Sequence, residues 1–249
     1  MKTSIHILFI LLLSFSAVAQ EGLLEKANEH YTNQEYEEAI AAYQEVLNSN
    51  RESAEVYYNL GNAYYKNGQI TPAIINYERA KLLAPNDEDI QFNLELANQH
   101  VIDAIDPLPK VFFVRWWNNL ANKFPADGWA KISVISFILF LVLAGLFFFT
   151  RTTAIKRLSF WVGILIVAIS IFSFNFAARQ KKQMTSHNFA VIVQPSVAVK
   201  SSPAESGTDL FLIHEGLKVE IKDSLGNWRQ IRLADGNQGW LPENSLEKI

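Results

Sequence analysis

The chain has no cysteine. Disulfides, thiolate nucleophiles, cysteine metal sites and a lipid-anchoring cysteine are thereby excluded, and its parts must hold together by non-covalent packing. It also lacks a glycine-rich phosphate loop, an HExxH pair and a G-x-S-x-G elbow. Its five histidines (His6, His30, His100, His187 and His214) are scattered along the sequence. The acidic run Glu35, Glu37, Glu38 reads as the solvated face of a helix. No catalytic group, metal ligand or cofactor site is expected, and the chain reads as a non-enzyme. A peptidase or transglycosylase would need a site that these residues do not provide.

Positive charge is scarce in the first half. Between Gln20 and Asp106 stand sixteen acidic residues against five basic ones, whereas His187 to Ile249 carries eight against six. No stripe of Lys and Arg is present, so nucleic acid is not an expected partner.

Apolar runs, by contrast, are plentiful. The start, "MKTSIHILFILLLSFSAVAQ", joins Lys2 to an apolar stretch from Ile5 to Phe15 and ends on Ala17-Val18-Ala19. That pattern predicts a secretory signal peptide over 1–19, the other reading being a short buried helix. Ile132–Phe149 and Leu158–Ala178 hold no charge, and at about 1.5 Å per helical residue each matches the hydrocarbon thickness of a bilayer. Transmembrane helices are therefore expected over 129–150 and 158–178, joined by a short cytoplasmic loop, 151–157. Arg151, Lys156 and Arg157 suit the cytoplasmic side, but Arg179, Lys181 and Lys182 follow the second span, so charge alone does not orient the pair. An exported start does orient it. Both flanking regions are then periplasmic and the chain sits in the inner (cytoplasmic) membrane.

Ahead of the first span, "VFFVRWWNNLANKF" sets Phe113, Trp116, Trp117, Leu120 and Phe124 on one helical side and Arg115, Asn118, Asn119 and Asn122 on the other. An amphipathic linker over 107–128, lying in the membrane interface, is expected. Packing on the preceding domain is the alternative. Pro107 and Pro109 stiffen its approach.

Comparing the sequence with itself at an offset of 34 aligns Ala27 with Gly61, Asn28 with Asn62, Tyr31 with Tyr65, Ala39 with Ala73, Ile40 with Ile74 and Tyr43 with Tyr77. A 34-residue period with small residues and aromatics at these places resembles the tetratricopeptide repeat (TPR) family. The second copy fits at Tyr57, Leu60, Gly61, Tyr64, Ala73, Tyr77, Ala80 and Pro85. The first departs at Lys26, His30 and Arg51. A TPR domain over 20–106 is expected, with repeats at about 20–53 and 54–87 and a closing helix at 88–104. The resemblance implies a concave groove for a protein partner. Leu24, Asn28, Tyr31, Tyr58, Asn62, Tyr65 and Lys66 are its candidate lining. Asn28 and Asn62 are better read as ordinary features of such repeats than as groove contacts. Tyr57, Leu60, Gly61 and Tyr64 are expected to be the packing side of the same helix.

From Ala190 onward the apolar spacing alternates in short runs between Pro, Gly, Asp and Asn, which predicts a small β-barrel. "SVAVKSSP", "HEGLKVEI" and "GNWRQIRLADGNQGWLP" resemble the bacterial SH3 family over 187–249. The resemblance implies an all-β domain associated with cell-wall peptides or protein contacts. Trp228 and Trp240 are candidate surface residues there, although core or rim packing is the preferred reading of tryptophans in so small a barrel.

The expected whole is a multidomain membrane protein with an all-α repeat domain, a two-helix transmembrane hairpin and a small all-β SH3-type barrel. This order, together with "PLPKVFFVRWWNNL" and "ADGWA", resembles the BatE-type family of the Bacteroides aerotolerance operon. The resemblance implies envelope membrane proteins with von Willebrand A domains as partners, alongside an associated MoxR-type ATPase, and a role in stress or oxygen tolerance. Two functions follow as expectations, besides that of an enzyme subunit whose activity sits in its partner. One is a membrane-anchored adaptor that binds protein through its repeats. The other is an envelope anchor that binds peptidoglycan through its SH3-type domain. Membrane lipid is a partner in either case.

Overall fold

The computed structural model describes residues 22–49, 52–106, 108–109, 111–185 and 188–249. The expected signal segment 1–19 and Pro107 lie outside the described residues. The chain divides into two compact units, residues 1–108 with 188–249, and residues 109–187.

Among the described residues of the first unit five helices follow one another: α1 (22–32), α2 (Tyr36–Asn48), α3 (Ala54–Lys66), α4 (Ile70–Leu83) and α5 (Glu88–Asn98). Helices α3 and α5 start on side-chain caps. The Ser53 side chain caps α3 by accepting from the Val56 N–H, and Asp87 caps α5 by accepting from the N–H groups of Asp89 and Ile90. The turns between paired helices need a left-handed residue. Gly68 supplies it with φ 76°, and Gln34, one period earlier, adopts φ 65° despite its side chain.

Close helix crossing explains Gly61. A Cβ built there would stand 2.7 Å from the Tyr77 ring, so α3 and α4 approach only because that side chain is absent. Ala73 and Ala80 on α4 are fully buried for the same reason. In α3 the buried residues are Val56, Leu60, Gly61 and Ala63. Tyr57 and Tyr64, expected in the core, are only half-buried, with hydroxyls bonded to Glu52 and Gln44. Their rings cover the edge of the helix stack while the phenol tips stay wet.

The segment α5 is more than a closing helix. Its buried Ile90, Leu94 and Ala97 stand 34 residues after Val56, Leu60 and Ala63, and its cap Asp87 stands 34 after Ser53. It is the first helix of a third repeat. No second helix of that repeat follows; the chain runs on without regular structure from Val101 to Asp106.

Seven strands form one antiparallel sheet: β1 (Phe189–Ile192), β2 (Ser196–Lys200), β3 (Asp209–His214), β4 (Lys218–Leu225), β5 (Trp228–Arg232), β6 (Gln238–Pro242) and β7 (Leu246–Lys248). Their order is β3-β2-β6-β5-β4-β1-β7. Ala190, Ile192, Val199, Ile213, Val219, Ile231, Leu241 and Leu246, contributed by every strand, share one core cluster. A flat sheet could not bring its two edge strands into one cluster, so this sheet curls around it.

Strand β1 is buried on both faces. Ala190 and Ile192 enter the sheet core, whereas Val191 joins Ile249 in a cluster with Ala73, Ile74, Ile75, Leu94 and Ala97 of α4 and α5. The sheet therefore packs on the helical repeats. Polar contacts fix the seam: Glu78, 6% exposed, accepts from the Lys218 ammonium, Arg79 donates to Glu247 at 2.8 Å, and Thr71 donates to Glu215 at 3.1 Å. The segment after α5 lies along the sheet. Asp103 accepts from the His214 backbone N–H at 2.6 Å, Ile105 packs on the sheet core, and the Leu108 N–H donates to Ala234 at 3.1 Å.

The second unit contains α6 (Phe112–Ala121), α7 (Ala126–Phe149) and α8 (Thr153–Thr185). Helices α7 and α8 are long and apolar enough to cross a membrane. They run antiparallel: Ser133 and Ser170 exchange hydrogen bonds near one end, and the Phe147 and Phe160 rings lie 5.9 Å apart near the other. Most of their apolar side chains face outward, Leu158, Trp161 and Phe149 among them. The second helix continues past Ala178, where its apolar run ends, because backbone hydrogen bonding does not require apolar side chains.

Helix α6 packs on α8. Its Trp117 ring packs at a tilt against Phe176 of α8, 5.0 Å between centroids, and Arg179 donates to Asn118 at 3.1 Å. Residues from both expected sides are thus used in packing on α8, while Phe113 and Trp116 stay exposed.

Candidate functional site

The concave side of the repeats is built on α1, α3 and α5, with a recurring hydrogen-bond unit behind it. The Tyr43 hydroxyl donates to Asn28 Oδ1 at 2.6 Å, and the Tyr77 hydroxyl donates to Asn62 Oδ1 at 2.8 Å. The same two oxygens accept from the next first helix, from Asn59 at 3.5 Å and from Asn93 at 2.8 Å. Each asparagine thus ties its own repeat's second helix to the following repeat. Every partner is displaced by 34 residues, so the ladder is the sequence period expressed as hydrogen bonds.

Burial pushes the Tyr43 hydroxyl up to about 12, with smaller upward contributions from Tyr31 and Glu55. Burial also pushes up Tyr77, and neighbouring tyrosines add to it. Both hydroxyls remain neutral donors at any physiological pH, which the ladder requires.

In front of the ladder lies a cleft of about 230 Å³. Five candidate residues line it: Tyr31, Tyr58, Asn62, Tyr65 and Lys66, joined by Asn93 and Leu96 of α5. Tyr58 accepts from Asn93 at 3.0 Å, and the Tyr65 hydroxyl meets His100 Nε2 at 3.2 Å. The Tyr31 ring is braced edge-on by Tyr36 at 5.7 Å. Lys66, in the last turn of α3, is exposed and supplies the positive charge. Two candidates fall outside. Leu24 packs on the core of the first repeat, and the Asn28 oxygen is taken up by the ladder.

The 34-residue comparison, stopped at two copies, missed Asn93 and Leu96. Carried one period further it places Asn93 on Asn59.

Residues 27–68 match the family model described as TPR repeat, and residues 54–87 match the one described as Tetratricopeptide repeat. The chain carries TPR repeats. No curated protein matches the chain. The TPR helices α1 to α4 coincide with the matched segments, and α5 lies beyond them.

On the sheet, register pairs Trp228 with Pro242 and Trp240 with Gln230. Directly opposed residues share a face, so both tryptophans lie on the side away from Ile231, Gly239 and Leu241. Neither belongs to the sheet core, and both are half-buried. Trp228 borders a second cleft of about 500 Å³ with Asn227, Pro242 and Glu243. Among the described residues no group of His, Asp and Glu could hold a metal ion.

Proposed function

We propose that this protein is a membrane-anchored adaptor whose TPR cleft binds a segment of a partner protein outside the cytoplasm. The observation that carries the reading is the aromatic cleft of Tyr31, Tyr58, Tyr65 and Lys66 in front of a ladder that holds its walls. Phenol rings offer large contact area at little entropic cost, and Lys66 favours an acidic or carboxylate-bearing partner segment.

In this reading residues 1–19 are a signal peptide, α7 and α8 are a transmembrane hairpin with 151–157 cytoplasmic, and 20–106 and 187–249 are periplasmic. The seam between the repeats and the sheet supports this topology, because domains that touch must lie on one side and two spans separate them. The curled sheet is a bacterial SH3-type domain that completes the repeat stack. The resemblance to the BatE-type family points to von Willebrand A-domain membrane proteins as partners and to an envelope complex concerned with stress or oxygen tolerance.

A second reading is favoured by Trp228 and Trp240 standing outside the sheet core. There the SH3-type domain binds peptidoglycan and the protein anchors the envelope. Affinity isolation of the full chain from membranes separates the two. Tyr58→Ala with Lys66→Glu removes the co-isolated partner under the adaptor reading, whereas Trp228→Ala releases the chain from isolated sacculi under the anchor reading.

A further inference from the structure

A polar cleft of about 450 Å³ lies in the second unit between α6 and α8. Arg115, Asn118, Asn119, Asn122, Arg179 and Gln180 line it, and no acidic residue does. The Arg115 side chain has no hydrogen-bond or ion-pair partner among the described residues, and the Arg179 side chain has only the neutral Asn118. Two guanidinium groups are thus held beside one cleft without a counter-charge.

The cleft is built rather than incidental. Gln180, 8% exposed, donates from Nε2 to the carbonyls of Ala121 at 2.6 Å and Phe124 at 3.0 Å. Trp129 Nε1 donates to Ala121 at 2.7 Å, and its ring lies between Phe124 and Phe176 at 5.1 and 4.9 Å. These contacts clamp the end of α6 to α7 and α8 and bring Arg115 and Arg179 to the same opening.

Its level along the helices indicates what fills it. Arg179 is the first charge after the uncharged Leu158–Ala178 stretch, and Lys131 is the last before Ile132–Phe149. The cleft stands where both long helices turn from apolar to charged. Trp116, beside Arg115, is exposed at 63%. Tryptophan, arginine and amides at the end of an apolar span are the side chains suited to the headgroup layer.

We propose that this cleft binds the phosphate of an anionic phospholipid headgroup, with Arg115 and Arg179 as the charged donors and Asn118, Asn119 and Asn122 as neutral ones. Guanidinium groups suit this role because they present paired N–H donors to phosphate oxygens. The proposal rests on α7 and α8 crossing a membrane.

The test is native mass spectrometry of the full chain released from vesicles of phosphatidylcholine with and without phosphatidylglycerol, in parallel with alkaline extraction of the membranes. The wild-type chain is expected to retain phosphatidylglycerol, and R115Q with R179Q to lower that retention about tenfold while both resist extraction. Lys156→Gln, at the other end of the helices, leaves retention unchanged. Equal retention of the two lipids, or retention unaffected by the double substitution, overturns the site. Displacement of the lipid by inorganic phosphate alone reassigns it to a free anion and overturns the lipid proposal. Release of the wild-type chain by alkaline extraction overturns the membrane reading itself.

Discussion

The Tyr77 hydroxyl lies 2.8 Å from Asn62 Oδ1, and one repeat earlier Tyr43 stands 2.6 Å from Asn28 Oδ1. The Asn62 oxygen also accepts from Asn93, so three helices meet at one amide. Asn62→Leu leaves a buried hydroxyl and an amide without their acceptor, and it is expected to cost about 1–3 kcal/mol. Tyr77→Phe removes only a donor and is expected to cost about 1 kcal/mol. Denaturant unfolding of the detergent-solubilised chain, followed by helical circular dichroism, distinguishes the two.

The ladder predicts alkaline sensitivity of the repeats. Tyr43 is raised from its ordinary value of 10 to about 12 in the folded chain. The folded state then holds its proton more tightly than the unfolded state does. The stabilisation is complete below pH 10 and is lost as the pH rises from 10 through about 12. Tyrosinate absorbance is expected to appear together with loss of helical signal, and Tyr43→Phe weakens that coupling.

Gln34 holds φ 65° where the next repeat has Gly68 at φ 76°. Gln34→Gly relieves the left-handed strain but loosens the unfolded chain, for an expected net gain of about 0.5–1 kcal/mol. Gly68→Gln is expected to lower stability by a similar amount. Paired melting curves check both signs.

The seam between the repeats and the sheet depends on Glu78, which is buried on α4 and faces Lys218 of β4. Lys218→Ala strands that carboxylate, at an expected cost of about 1–3 kcal/mol. Hydrogen exchange is expected to rise in α4 and β1 together, whereas independent domains would show a rise in the sheet alone.

Ser133 and Ser170 exchange hydrogen bonds between the two long apolar helices. With both helices in lipid, as proposed, replacing both with Ala is expected to weaken their association by only about 0.6 kcal/mol per bond, because the separated groups find other partners. A thermal shift in detergent measures it.

The sequence period made the first four helices legible, since buried small residues and tyrosines recur every 34 positions. The same offset also contained α5, but Ile90, Leu94 and Ala97 alone do not distinguish a third repeat from a lone closing helix. Helix α4 carried a subtler signal. Ile75 stands where the first copy has the exposed Ala41, so α4 is apolar on a side that a two-repeat stack would leave wet. That side meets Val191 and Ile249, more than a hundred residues away in sequence, and no local pattern names such a partner. The alternation in the C-terminal runs marked strands without giving their order, because short runs of similar composition fit many pairings. The tryptophans were illegible for a related reason. Which face of a strand turns inward depends on register, and register put Ile231 and Leu241 inside.

The partner-binding account is tested most directly by site-specific photo-crosslinking in intact membranes, with the reactive side chain at Lys66 in the cleft or at the exposed Glu38 of α2. The account predicts one discrete membrane-protein adduct from position 66, absent from position 38 and abolished by Tyr58→Ala. Identical adducts from both positions, or none from position 66, would contradict it.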